Sequence, residues 1–278
     1  KFRDDHSTDE FPEQVHGHFR AEIGWTIGPA VIMAVIAVFT LISHFDLNGQ
    51  DRTDIVVSVD GERTSWDPEV VIVGQQWWWE FRYPDEAGEV VTANEMHVPA
   101  GRPIWLRLES ADVIHSFWVP RLAGKMDLIP GHTNYTWFEA DRAGIYLGQC
   151  AEYCGTQHAH MLIRVYADEP EAFDDWLAAQ RKPAIEDPTV AEGRRVFAEY
   201  ACLNCHTVDG TSDGMFGPNL THLASRDTIG SGFIPLNREN LRAWIDDPAQ
   251  LKIGCNMPSL KLDAAELDAV TDYLLTLN

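Results

Sequence analysis

Ile23 to Phe45 is a run of 23 residues without a single Asp, Glu, Lys or Arg. As an α-helix it extends roughly 35 Å, enough to cross a bilayer core with some tilt. Gly24, Gly28 and Pro29 fit such a helix, because membrane helices tolerate both residue types. The alternative, a buried helix of a soluble protein, fits poorly with that length and with the polar stretch Asp46 to Asp54 that follows at once. A spanning helix near one end of a 278-residue chain leaves two modest domains' worth of sequence on one side of the bilayer.

That sequence carries two clusters of soft ligands. In Cys150-Ala-Glu-Tyr-Cys154-Gly-Thr-Gln-His158-Ala-His-Met161, the cysteines and His158 recur at four-residue spacing with Met161 three residues on. One curved loop can therefore aim all of them at one point. Thiolate and thioether select copper over hard cations, and imidazole accepts it too. His115, in Asp112-Val-Ile-His115-Ser-Phe-Trp-Val-Pro120, is the candidate second histidine. Two thiolates, two imidazoles and a thioether are too many for one tetrahedral ion and suit two coppers bridged by both sulfurs. A Cys2His2 zinc site would leave Met161 without a role. A Cys150–Cys154 disulfide would leave the histidines unexplained.

The second cluster, Cys202-Leu-Asn-Cys205-His206, has the spacing that attaches a c-type haem. Both thiols bond the haem vinyl groups and the adjacent histidine ligates the iron. A thioredoxin-like redox pair needs a βαβ context and a zinc site needs a second pair, and neither is present. Met257, in Cys255-Asn-Met257-Pro258, is the candidate sixth ligand, and Met215 is the alternative. His222 reads as a surface or haem-edge residue, and the fifth cysteine, Cys255, as a small buried side chain. Val190 to Ala201 and Asp263 to Leu277 have helical apolar spacing and are expected to pack on each other.

Between Asp54 and Ala167, short runs rich in Val, Ile, Trp and Tyr alternate with turn signals at Pro84 to Gly88, Pro99 to Gly101, Pro130-Gly131 and Ala143-Gly144. This predicts an all-β sandwich or barrel. A short helix over Ala172 to Gln180 follows, then a proline-bearing linker from Arg181 to Pro188. No repeat or low-complexity tract is evident. A net charge of −22 excludes a nucleic-acid partner, whose phosphates require a basic surface. Acidity suits steering of a basic redox partner, or solubility alone.

Together with the aromatic run Gly74-Gln-Gln-Trp77-Trp-Trp79-Glu-Phe81-Arg-Tyr83, these motifs resemble subunit II of the caa-type cytochrome c oxidases, nearly end to end. In that family a CuA domain of cupredoxin fold carries a fused class I cytochrome c domain. The resemblance implies a multidomain chain: a cytoplasmic segment (1–21), a transmembrane helix (22–46), a CuA cupredoxin domain (47–170), a linker (171–188) and an all-α cytochrome c domain (189–278). Cys150 and Cys154 would bridge two coppers, with His115 and His158 as terminal ligands, Met161 as a weak ligand and the Glu152 carbonyl as the last.

The same resemblance sends the Glu152 side chain to magnesium at the contact with subunit I. Trp77 is given an electron-transfer role, on the way from copper to the haem of subunit I, whereas most neighbouring rings read as core. Haem c would be held by Cys202, Cys205, His206 and Met257. The implied partners are subunit I and the other oxidase subunits, the bilayer, and cytochrome c or a cytochrome c reductase as donor. The implied location is the plasma membrane of a prokaryote, with both redox domains on the outer, periplasmic side. Lys1-Phe-Arg resembles the end of a further upstream membrane helix, and the Lys and Arg distribution supports this orientation only weakly. The implied function is passing electrons towards oxygen reduction in subunit I. Two alternatives are the equivalent subunit of a nitric oxide reductase and a copper-delivery module.

Overall fold

The computed structural model describes residues 16–48, 68–85, 88–184 and 187–278. Lys1, Arg3 and Arg52, the centre of the Pro84 to Gly88 turn, and Ile185 and Glu186 of the proline-bearing linker lie outside them. Helix α1 (Phe19–Asn48) contains the whole uncharged run, with Pro29 inside it. Among the described residues it is the one helix long and apolar enough to cross a membrane. Among the described residues of that span none is buried.

Pro68 to Asn278 form a second compact unit, whose first part is all β. Its strands are β1 (Val70–Gln75), β2 (Trp78–Tyr83), β3 (Val90–Ala93), β4 (Glu95–Pro99), β5 (Pro103–Ser110), β6 (His115–Trp118), β7 (Met126–Leu128), β8 (Asn134–Glu139), β9 (Gly144–Cys150) and β10 (Leu162–Asp168). They make two five-stranded sheets, β3-β2-β1-β5-β8 and β4-β10-β9-β6-β7, a cupredoxin-like sandwich. Alternation along β5 sends Ile104, Leu106 and Leu108 into the core, where they meet Met96, Leu128, Ile163 and Val165 from the other sheet. The chain crosses between sheets at Asn94, whose φ of 64° asparagine tolerates. Its amide and side chain bond Trp79 O and Trp79 N at 2.9 and 3.0 Å, which fixes the crossing.

Helix α2 (Pro170–Gln180), in the place predicted for a short helix, starts with proline at its first turn. It lays Phe173, Trp176 and Leu177 on the sandwich. The remainder is mainly helical, with α3 (Ala191–Glu199), α4 (Arg238–Asp246), the single turn α5 (Pro248–Leu251) and α6 (Ala264–Leu274). It is not all-α as expected, since Thr207–Val208 pair with Ser212–Asp213 and Thr228–Ile229 with Ile234–Pro235 in two small two-stranded sheets. Helix α3 is shorter than the apolar period suggests. Pro188–Val190 form a 3-10 turn instead, and Ala201 at φ 61° turns the chain towards the cysteine pair. Asp263 and Glu266 cap α6 reciprocally, each accepting a backbone N–H of the other.

The predicted packing of first and last helices is present, with Val196 and Phe197 against Val270, Tyr273 and Leu274. It depends on Gly193, where a Cβ would lie 2.1 Å from Ala269 O and 2.5 Å from Tyr273 Cβ. Gly193→Ala should therefore destabilise this helical domain by about 2 kcal/mol. Thermal unfolding followed at the haem absorption checks this, and an unchanged Tm would refute the close crossing.

Candidate metal and haem sites

Strands β6 and β9 pair antiparallel with Phe117 opposite Cys150, which brings His115, at the start of β6, beside the end of β9. The loop after β9 folds back so that Cys150 N donates to Met161 O at 2.9 Å. Inside this loop Cys150 Sγ lies 3.8 Å from Cys154 Sγ, 4.0 Å from His115 Nδ1 and 3.2 Å from the Glu152 carbonyl. Cys154 Sγ is 3.7 Å from His158 Nδ1 and 3.8 Å from Met161 Sδ. The sulfurs are too far apart for a disulfide, which needs about 2 Å. His115, Cys150, Cys154 and Met161 are buried, and His158 is half-buried.

Protons are shared unevenly here. Cys150 is pushed down, first by the hydrogen bond from Cys154 and then by His115 and backbone donors, while Cys154 is pushed up because it keeps the shared proton. Two buried thiols, two imidazoles and a thioether form a donor set that fits copper. Met161 Sδ within reach of Cys154 gives the thioether the role that zinc would not.

Asp112 was not anticipated as part of this site. Its Oδ1 is 2.8 Å from His115 Nε2, and it also accepts the N–H groups of Gln76 and Val113 at 2.6 Å. Burial, the largest single influence, would lower the His115 pKa, but the bonds and charges of Asp112 and Cys150 together outweigh it and the net shift is upward. This carboxylate orients the ring so that Nδ1 faces the sulfurs. Asp112→Asn should weaken copper binding by about ten- to a hundredfold, as such outer partners do. Competition with a chelator checks this, and parent affinity would contradict it. Gly74 is equally committed, since a Cβ there would meet His115 Cδ2 at 2.8 Å.

Trp77 is half-buried and donates its indole N–H to Cys154 O at 2.9 Å, alongside Gln76 Nε2 at 2.7 Å. The neighbouring rings Trp79, Phe81 and Tyr83 are core, as expected, and Trp79 stands edge-on to His115. The Glu152 side chain is 44 % exposed, 3.8 Å from Lys125, which also reaches Asp127 at 3.7 Å.

In the helical domain Cys202–Asn204 form a 3-10 turn capped by Cys205, and His206 comes next. His206 Nδ1 lies 2.7 Å from Pro218 O, and a carbonyl only accepts, so Nδ1 carries the proton and Nε2 is left for a metal. Burial lowers the His206 pKa and favours this neutral form. The Gly217 backbone presses on the ring, where a Cβ would come within 2.6 Å of His206 Cε1. Beside it, Met215 and Phe216 are 77 % and 83 % exposed, a bare apolar surface of the kind a haem covers. The residues present fit a covalent haem.

Met257 is half-buried in the turn after α5, and Cys255 is half-buried too, with Sγ 3.6 Å from Met257 O. His222 corrects the expectation of a surface or haem-edge residue. It is buried, 3.0 Å from Lys182 O and 3.2 Å from Gln180 O, where it ties the chain after α2 to the helical domain.

One chain thus presents a soft-ligand copper loop in a β-sandwich and a haem-attachment turn in a helical domain, the make-up of a two-centre electron-transfer protein. Residues 86–167 match the family described as cytochrome c oxidase subunit II, periplasmic domain, and residues 190–278 match cytochrome c. Cytochrome c oxidase subunit 2 of Alkalihalophilus pseudofirmus is 37 % identical over 281 residues, covering 100 % of this chain and 79 % of that protein. The subunit 2 of Bacillus sp. (strain PS3) is 32 % identical, covering 96 % and 77 %. The solved periplasmic domain of subunit II of cytochrome oxidase from Bradyrhizobium japonicum is 35 % identical, covers 41 % of this chain and 94 % of its own, and superposes with a TM-score of 0.39. The chain belongs to the cytochrome c oxidase subunit 2 family, in the form that carries a cytochrome c domain. It takes in electrons for a haem-copper oxidase, with copper and haem c as its cofactors, and is membrane-anchored with a periplasmic domain.

Proposed function

We propose that the working arrangement is a relay from an external donor to haem c, from haem c to paired copper, and from copper to the haem of subunit I, where oxygen is reduced. The observation that carries it is the convergence of five side-chain donors on one buried loop, each within 4.0 Å of a cysteine sulfur. In this reading residues 47–170 serve copper and 189–278 serve haem. Cys202 and Cys205 would anchor the haem covalently, while His206 Nε2 and the Met257 thioether would ligate its iron. When bound, the haem and the copper pair each take up and release one electron at a time.

Cys150 and Cys154 would supply the sulfurs that hold the copper, and His115, His158, Met161 and the Glu152 carbonyl would complete the set. Trp77 O accepts from Lys252 and Gln76 O accepts from Asn256, both residues of the turn that leads to Met257. These bonds support a place for Trp77 between the haem domain and the copper loop, upstream of copper rather than downstream as the sequence suggested.

The exposed Glu152 carboxylate, with Asp127 close to the same Lys125, supports a magnesium role at a contact with subunit I. The acidic surface supports a basic donor such as cytochrome c, and α1 supports anchoring in the plasma membrane of a prokaryote. The relatives named above are cytochrome c oxidase subunits, which favours oxygen over nitric oxide as the final acceptor. Oxygen uptake by the purified membrane complex, with reduced cytochrome c as donor, tests the reading. Cyanide-sensitive uptake with two coppers and one haem c on this chain is the expected result. Absent uptake, or a chain without copper, would refute it.

A further inference from the structure

Two side chains of opposite charge are each almost wholly buried and are satisfied across the boundary between the copper and haem domains. Lys252, 3 % exposed, leads out of α5 and donates from Nζ to Trp77 O at 2.7 Å, His160 O at 2.9 Å and Gly230 O at 3.0 Å. An ammonium has three protons, and all three are used. Two of the acceptors belong to the copper domain. Glu95, on β4 and also 3 % exposed, makes the reciprocal contact. It accepts Asp227 N at 3.0 Å and the hydroxyl of Thr228, both from the haem domain.

A buried charge without partners is costly, so each group is compensated in this burial only while the domains are docked. Two separated pins fix orientation as well as contact. Domains joined by a linker are otherwise expected to move relative to one another. The pinned turn is also the one that bears Met257. Gln157, next to His158, donates to Ile253 O at 2.7 Å, and Asn256, next to Met257, donates to Gln76 O at 3.0 Å. Gln76 in turn reaches Cys154 O, so two hydrogen bonds and one side chain separate the residue beside Met257 from a copper-loop cysteine.

We propose that Lys252 and Glu95 are positioning residues that lock the haem domain onto the copper domain with the Met257 turn against the copper loop. In this state one electron leaves haem c, oxidising its iron from the ferrous to the ferric state, and reduces the copper pair by one electron, with no proton or atom transferred. The electron-transfer half of the proposal rests on the relay described above, whereas the docking half does not.

The test uses the full-length subunit carrying copper and haem, with Lys252→Met and, at the other end of the boundary, Glu95→Ala. Haem absorption and the copper paramagnetic signal should stay as in the parent. Amide exchange over residues 228–235 and at Leu162, whose N–H donates to Ser231 O at 3.1 Å, should quicken about tenfold or more as the docked population falls. Flash-initiated transfer from haem to copper should slow by about tenfold, with direct reduction of copper by a small photoreductant unchanged. Parent-like exchange and transfer in both variants would overturn the lock. Should Lys252→Met fail to fold, Glu95→Ala decides alone. A parent chain lacking the copper or haem spectrum would instead defeat the relay, while the exchange data would still report on docking.

Discussion

Cys150→Ser should abolish copper binding while the covalent haem stays in place. Cys150 Sγ is the hub of the site, within 4.0 Å of His115 Nδ1, Cys154 Sγ and the Glu152 carbonyl. A hydroxyl at that point is a hard, protonated donor where the set requires a soft anion. The remaining donors then divide between His115 on β6 and the far side of the loop, with nothing to bridge them. Losing an outer partner costs about ten- to a hundredfold in affinity, and losing a bridging ligand should exceed that range. Serine fits the volume, so the sandwich should stay folded, with Phe117, Trp79 and Met161 holding the core around it. Copper and haem are counted per chain. A full copper complement in the variant would contradict the bridging role of Cys150, and loss of haem as well would show that the two domains do not mature independently.

Met257→Leu should leave haem attached but without its sulfur ligand. Attachment depends on Cys202 and Cys205, and proximal ligation on His206, whose ring is held by Pro218 O and the Gly217 backbone. Methionine as the sixth ligand raises a haem potential, so its loss should lower the midpoint on the order of 0.1 V, change the absorption spectrum and slow turnover. Leucine is close in volume, and the half-buried position should cost the fold little. Redox titration with optical detection checks this. A parent spectrum and potential would transfer the role to Met215, which lies 77 % exposed on the loop next to His206.

What the sequence showed of these sites was what is local along the chain. Cys150, Cys154, His158 and Met161 occupy one loop, and Cys202, Cys205 and His206 one turn, so their spacing carries the chemistry. The β-sandwich and the first and last helices of the haem domain were readable for the same reason, since period-2 and helical apolar patterns are short-range signals. His115 could be named only as a candidate, because it is the β6–β9 pairing that brings it to Cys150.

Asp112 three residues before His115, Gly74 beneath the ring and Gln76 beside Trp77 gave no local sign of their contacts. The domain boundary was the least legible part. A proline-bearing linker suggests independent modules, and nothing local marks Lys252 and Glu95 as buried until the fold places carbonyls and donors around them. The position of Trp77 relative to copper depends on the same docking, which no one-dimensional pattern encodes.

The central claim is that electrons cross from haem c to copper within one chain. Photoreducing the haem of the full-length subunit and following haem and copper absorption at several protein concentrations tests it directly. The account predicts that haem oxidation and copper reduction share one first-order rate constant, independent of concentration, as tethered partners require. A rate that rises in proportion to protein concentration would mean the centres meet only between molecules and would contradict it.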